Sequence, residues 1–330
     1  MTNQRYDYLD VARGVGILLV VWAHIVVDGW IHQVIYAFHM PLFFFLSGMV
    51  FRKERFASFK QFVTVRAKRL LLPYLIYSVV TWGIWALFRW LRGDEVSSYW
   101  LPLIETFIAR GSGAYMVHNS ALWFVPCLFV VELIFFGLNR FNKWISLTLS
   151  LLLATLNGVF IKTFGNDYLF LLPWNLDAAL FALPFYGVGN FVVQYMSHAQ
   201  ILDIVSRKRL CALFAVLVMG SGMCYLAFMY GECSMGSSSY LCPIWCFFVR
   251  AFLGCFALTL FCALLSSFKV TLKGLVWCGR NSFDVMCIHI PIKGVAVLIV
   301  KNSLMAFVVT MAVMIPAIMF IKSKFYTKNE

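Results

Sequence analysis

Long apolar runs recur along the chain and are separated by short polar segments. Each run is about as long as the roughly 20 residues that a helix needs to cross the hydrocarbon core of a bilayer. The pattern therefore predicts an all-α, polytopic membrane bundle. The predicted spans are residues 9–28, 34–51, 70–91, 121–138, 145–164, 176–196, 210–230, 243–265, 281–299 and 303–321. No soluble domain, repeat or low-complexity tract is visible, so residues 1–330 are treated as a single membrane domain.

Composition agrees with this prediction, because 62% of the residues are hydrophobic and only 12% are charged. Those values lie far outside the range of soluble domains. The first apolar run follows MTNQRYDYLD without a basic segment or a small-residue cleavage site, so no cleavable signal peptide is expected. The net charge of +13 does not indicate a nucleic-acid partner, because the apolar excess leaves no soluble face for one.

The basic residues instead predict orientation, because cytoplasmic segments of membrane proteins are enriched in lysine and arginine. They concentrate in alternate segments: Arg5, 52–69, Arg140, Lys143, 207–209, Lys269, Lys273, Lys322, Lys324 and Lys328. Both termini are therefore expected in the cytoplasm. Phenylalanines interleave with the basic residues of 52–69, which fits either an amphipathic helix on the inner leaflet or a plain orientation anchor.

Two polar residues bracket the first span. Arg13 and His24 are eleven residues apart, which places them within about 20° of each other on a helix and about 16 Å apart along it. His39 lies one or two turns into the second span, which enters the membrane from the outside, so it is expected at about the depth of His24, about one turn before the outer end of the first span. An arginine near a span end can simply extend to the headgroups, and a lone histidine can be a packed core residue. Two imidazoles at one depth favour a polar cavity.

These segments resemble a known family. LDVARGVGILLVVWAH at 9–24 resembles the opening signature of the integral membrane acyltransferase family 3. FHMPLFFFLSGMVF at 38–51 resembles the second-span signature of the branch of this family that includes fucose 4-O-acetylases and surface-polysaccharide O-acetyltransferases. Further matches follow in order: RAKRLLLPY at 66–74, ALWFVPCLF at 121–129, LPFYGVGN at 183–190 and GRNSFDVMCIHIP at 279–291. Each motif alone is weak, but six in the right order across essentially the whole chain are specific.

The resemblance implies a multi-pass enzyme of the bacterial cytoplasmic membrane that transfers an acyl group, commonly acetyl from acetyl-CoA. The acceptor would be a sugar hydroxyl of a surface polysaccharide or of its lipid-linked precursor. No metal is expected, and the sequence carries no signal of oligomeric state. Transfer to an alcohol needs a base for the hydroxyl proton and stabilisation of the oxyanion, and histidine is the natural base near neutral pH.

The resemblance carries the catalytic roles onto Arg13, His24 and His39. Arg13 would anchor the CoA phosphates near the inner face while the thioester reaches His24. His24 acts either as the general base, which we prefer, or as a transiently acylated nucleophile. Further phosphate ligands are expected in the basic group before the third span, although topology alone also explains basic residues there. These are Arg66, Lys68 and Arg69.

For the acceptor, the resemblance indicates Trp123, Asn281, Ser282 and His289. Trp123 fits stacking on a sugar or membership of the interfacial aromatic belt. His289 fits either lining of the cavity or a hydrogen bond that holds the bundle.

Three further interpretations remain from the sequence. The intramembrane charges Glu132 and Arg250 are expected to pair with each other. Cys233 and Cys242 flank a predicted loop, and sequence alone leaves open whether they form a disulfide. A transporter or flippase for a polysaccharide precursor or acyl donor is the rival function, since polar residues on one helical stripe also describe a substrate path. A noncatalytic assembly subunit is a weaker rival.

Overall fold

The computed structural model describes residues 6–111, 115–164, 172–236, 239–240, 242–268 and 272–325. Helices dominate these residues: α1 Asp7–Ile25, α2 Gly29–Tyr36, α3 His39–Val50, α4 Phe59–Arg92, α5 Leu101–Ile108, α6 Phe124–Leu138, α7 Lys143–Phe164, α8 Leu176–Tyr195, α9 His198–Arg207, α10 Arg209–Tyr230, α11 Ile244–Ser267, α12 Lys273–Arg280, α13 Ser282–Ile299 and α14 Ser303–Phe325. Single 3-10 turns occupy Lys53–Arg55, Ser120–Trp123 and Pro173–Asn175.

The predicted all-α bundle of ten spans is confirmed. Within the described residues, ten helical segments are long and apolar enough to cross a membrane, and they match the ten predicted runs in order. The second segment combines α2 and α3, and the 3-10 turns at 120–123 and 173–175 extend the fourth and sixth. The orientation of the termini stays a prediction.

The spans form an inner group and an outer group. The apolar windows of the fourth and sixth spans are 72% buried inside the protein, whereas those of the seventh and tenth are 17% and 22% buried. Within the inner group, α3 and α8 cross at Gly48 and Gly189. A Cβ at Gly48 would meet the backbone of Tyr186, and one at Gly189 would meet that of Phe45, so glycine permits this close approach.

The second span is broken in its first half. Helix α2 ends at Tyr36, and Phe38 leaves the helical region with φ −146° and ψ −14° before α3 begins at His39. Pro41 lies in the first turn of α3, where its missing N–H is tolerated because that turn has no intrahelical acceptor. The imidazole of His39 bridges the break, since its Nδ1 lies 2.8 Å from the carbonyl oxygen of Ile35.

The basic stretch at 52–69 does not form a separate surface helix. Its second half begins the 34-residue helix α4, which the side chain of Ser58 caps by accepting a hydrogen bond from the backbone N–H of Gln61. Phe62 is fully buried, and its ring packs against those of Phe51 and Phe136. This segment is therefore part of the bundle.

The expected pairing of Glu132 with Arg250 is wrong. Glu132 on α6 instead accepts two hydrogen bonds from the guanidinium of Arg66 on α4, because these two helices pack together. Arg250 on α11 donates its Nη1–H to the carbonyl oxygen of Gly231, at 2.7 Å.

A small hairpin, which the sequence did not predict, joins α10 to α11. Strand β1 is Cys233–Ser234 and strand β2 is Ser239–Tyr240, and they pair antiparallel with Cys233 opposite Tyr240.

Candidate functional site

A cavity of about 310 Å³ lies between α1, the break in the second span and the loops at one end of the bundle. This volume lies at the lower end of the range for small-molecule sites. Its wall carries the imidazoles of His24 and His39 together with the aromatic rings of Tyr36, Phe43 and Trp123. The hairpin segment 234–236 and Gly111 also line the cavity. The cavity thus combines two basic nitrogens with flat apolar surfaces.

His24 stands beside a second buried histidine. The rings of His24 and His289 are 5.1 Å apart between centroids. Nδ1 of His289 lies 2.9 Å from the carbonyl oxygen of Met286 and 3.1 Å from that of Val285, so this nitrogen carries the proton. Nε2 of His289 is buried and has no hydrogen-bond partner among the described residues. Lys293 completes the group by donating a hydrogen bond from Nζ to the backbone oxygen of His24, at 3.0 Å.

The hydrogen bond that His39 makes across the break in the second span determines which of its ring nitrogens carries the proton. Because Nδ1 donates its hydrogen to the carbonyl of Ile35, Nε2 is the nitrogen that can accept a proton. The ring of His39 contacts that of Tyr36 at 4.8 Å, and the ring of His32 stacks on Tyr36 at 4.1 Å. Nε2 of His32 lies 3.4 Å from a carboxylate oxygen of the partly exposed Glu232. A row of rings therefore connects the cavity to a surface carboxylate.

Trp123 is buried between two loops that can approach it because they carry glycine. A Cβ on Gly111 would lie 2.6 Å from the indole, and one on Gly236 would lie 2.7 Å from it. Asn175 joins these loops, because its Oδ1 accepts from the backbone N–H of Gly111 and its Nδ2 donates to the carbonyl of Gly236. One face of the cavity is thus a rigid assembly of three segments.

His118 lies just before the 3-10 turn Ser120–Trp123 and is also buried. Neither of its ring nitrogens has a hydrogen-bond partner among the described residues. Burial lowers the pKa of His118 to about 4, so this imidazole is neutral at pH 7. It is not one of the residues that line the cavity.

Arg13 lies outside the cavity, toward the other end of α1. Its Nη1 is 3.6 Å from a carboxylate oxygen of Asp10, and its Nη2 is 3.5 Å from the carbonyl oxygen of Leu46. Ile17, one turn further along α1, is the first residue of this helix that contributes to the cavity wall. Arg280 also binds Asp10, at 3.1 Å, so this end of the bundle carries a small network of charges.

The three basic residues before the third span differ in their surroundings. Arg66 is partly buried and bound to Glu132 through both Nε and Nη2. Lys68 and Arg69 are exposed. A free phosphate therefore meets Lys68 and Arg69 more readily than Arg66.

Asn281 and Ser282 lie at the start of α13, away from the cavity. Asn281 is buried and donates from Nδ2 to the carbonyl oxygen of Trp277, at 2.6 Å. The structure thus brings His24, His39, Trp123 and His289 together, and places Asn281 and Ser282 with the Arg13 end of the bundle.

Several residues in and around the cavity were missed by the sequence analysis. Lys293 was the easiest of them to predict from sequence, because a lone lysine inside an apolar span is costly unless it faces protein. Tyr36, Asn175 and the segment 234–236 gave no local signal, since their place depends on how distant loops meet. Among the described residues, no group of three or more histidine, cysteine or acidic side chains is arranged to hold a metal ion.

Comparison with known proteins gives a family match over most of the chain. Residues 6–322 match the family described as the acyltransferase domain. Nodulation protein NolL of Mesorhizobium japonicum is 36% identical over 99 residues, a match that covers 25% of this chain and 26% of that protein. The chain therefore aligns with about a quarter of the length of this curated relative. No solved structure matches.

Proposed function

This chain belongs to the acyltransferase domain family, and on that premise we propose that it transfers an acetyl group from acetyl-CoA to a sugar hydroxyl. The acceptor is a surface polysaccharide or its lipid-linked precursor, and the enzyme resides in the bacterial cytoplasmic membrane. One observation carries the proposal. His24 and His39 converge with Trp123 on a cavity of about 310 Å³, which has the residues that acyl transfer to a carbohydrate needs.

In the proposed reaction, His24 removes the proton from the acceptor hydroxyl as its oxygen attacks the thioester carbonyl. The new C–O bond forms, the C–S bond breaks, and CoA leaves with the proton that His24 returns to sulfur. His289 orients this base. Its Nε2 has no hydrogen-bond partner among the described residues and lies beside the ring of His24, so a small rotation of that ring would let it accept the N–H of His24 and leave the other nitrogen of His24 to face the hydroxyl.

His39 and Trp123 position the acceptor. Nε2 of His39 accepts a hydrogen bond from a sugar hydroxyl, because its Nδ1 is already committed to Ile35. The indole of Trp123 lines the cavity and would supply an apolar contact for the sugar ring. The two groups together would select which hydroxyl reaches His24.

The nucleotide of CoA binds at the opposite end of the bundle. The cations there that suit its phosphates are Arg13, Lys68, Arg69 and Arg280. Arg13 and Arg280 both contact Asp10, so a phosphate would compete with that carboxylate for them, as it would with Glu132 for Arg66. The pantetheine arm then spans the rise of about 16 Å along α1 between Arg13 and His24. This route requires side chains near Ile17 to move apart.

The test uses the purified protein in lipid nanodiscs with acetyl-CoA labelled in the acetyl group and a panel of methyl hexosides. We expect release of the CoA thiol and appearance of labelled sugar ester together. In proteoliposomes, uptake of intact acetyl-CoA or of a glycan precursor without thiol release would contradict the proposal and favour the transporter.

A further inference from the structure

Two thiols meet at the hairpin that walls the cavity. Cys233 begins β1 and Cys242 follows β2, and their sulfur atoms are 2.9 Å apart. Both side chains are buried. Since Cys233 pairs with Tyr240, two residues before Cys242, the two cysteines lie diagonally across the open end of the hairpin with their sulfur atoms in contact.

We propose that Cys233 and Cys242 form an intrachain disulfide that closes this hairpin. The inference goes beyond the proposed acyl transfer and does not rest on it, because it concerns a covalent modification of the chain; it shares with the proposed function only the location in a bacterial membrane. The bond would fix residues 234–236, which line the cavity, against Trp123.

The surroundings of the pair favour oxidation. The hairpin lies between the seventh and eighth spans, on the side opposite the basic segments, and this side is the extracytoplasmic one by the distribution of lysine and arginine. That compartment is oxidising in bacteria, whereas thiols in the cytoplasm are kept reduced. The hairpin is also held at two further points, by Arg250 at Gly231 and by Asn175 at Gly236.

The reaction needs a disulfide-bearing oxidant of that compartment. One cysteine attacks the oxidant as a thiolate to give a mixed disulfide, and the second displaces the remaining thiol. The two cysteines lose two protons and two electrons, and the oxidant leaves as two thiols. The hydrogen bond with Cys233 and burial together raise the pKa of Cys242, and the guanidinium of Arg250 acts in the opposite direction with a smaller effect. The attacking thiolate therefore forms more readily before the hairpin has packed than afterwards.

A third thiol makes the test specific. Cys246 lies four residues after Cys242, about one turn along the chain, and is also buried, so it is the competing partner. The experiment traps thiols in intact membranes with an alkylating agent, digests the full-length protein without reductant and maps linked peptides by mass spectrometry. We expect a peptide joining Cys233 to Cys242 that disappears after reduction. Alkylation of both cysteines before reduction, or a link from Cys242 to Cys246, would overturn the proposal.

Variants provide the control. Cys246→Ser should keep the cross-link. When this variant is alkylated without reduction, it should carry two fewer alkylated cysteines than when it is alkylated after reduction. Cys233→Ser in the Cys246→Ser background should show no such difference. A persistent difference in that double variant would assign the disulfide elsewhere. Neither readout depends on acyl transfer, so failure here and failure of the proposed function are distinguishable.

Discussion

The ion pair between Arg66 and Glu132 predicts that Arg66, in the basic group before the third span, stabilises the fold and does not bind CoA. The Glu132 side chain is 2% exposed and that of Arg66 18%, and the guanidinium binds both carboxylate oxygens. Removing one member of a buried pair costs about 3 to 5 kcal/mol, because the other charge loses its partner. The loss of stability in Glu132→Leu should lie at the upper end of that range, since the guanidinium left behind cannot lose its proton. Arg66→Met should lie at the lower end, since the carboxylate can bind one.

The double variant Arg66→Met with Glu132→Leu decides between a structural pair and a CoA ligand. Replacement of both charges by apolar side chains removes the unpaired ion, so its stability should lie within about 1 kcal/mol of the wild type. Unfolding in mixed detergent micelles, followed by tryptophan fluorescence, measures all four proteins of the cycle. The double variant should also keep the wild-type KM for acetyl-CoA. If Arg66→Met left stability unchanged and raised that KM, the reasoning would be refuted and Arg66 would be a phosphate ligand.

Two further predictions concern stability. Gly189→Ala should destabilise the fold by about 1 to 3 kcal/mol, because its Cβ would meet the backbone of Phe45. Gly83→Ala is the control, since nothing lies within 4 Å of its Cβ, and equal melting temperatures for both variants would refute the close crossing. His118 has a pKa of about 4 in the fold against about 6.5 unfolded, so its contribution to stability is complete above pH 6.5 and is lost as the pH falls toward 4. His118→Gln should flatten the dependence of melting temperature on pH across that window, and an unchanged profile would show that burial does not perturb this histidine.

The spans could be predicted because a bilayer imposes one rule on every crossing helix, namely a long apolar run. The exact course of the second span was not predicted, although Pro41 marks the start of a new helix after Phe38. Hydropathy averages over such a break, since both halves are apolar. Helix α4 begins at Phe59, before the apolar run predicted for the third span, because its first turns mix basic and aromatic residues that a hydropathy pattern leaves out.

The candidate site was predicted only where its signal is local. His24 and His39 share a depth because their positions along two neighbouring spans determine it. The partner of Glu132 was wrong because sequence does not say which helices are neighbours in the bundle. The hairpin at 233–240 and the junction at Asn175 depend on contacts between distant loops, which no periodicity encodes.

The central claim is that His24 acts as the base in a cavity shared with His39. The most direct measurement is the turnover of acetyl-CoA by His24→Gln in nanodiscs, beside His198→Gln, which replaces a buried histidine that hydrogen-bonds with Tyr8 away from the cavity. We expect a loss in kcat of about 10²- to 10⁴-fold for His24→Gln, with a wild-type melting temperature, and near-normal turnover for His198→Gln. Wild-type turnover by a folded His24→Gln protein would contradict it.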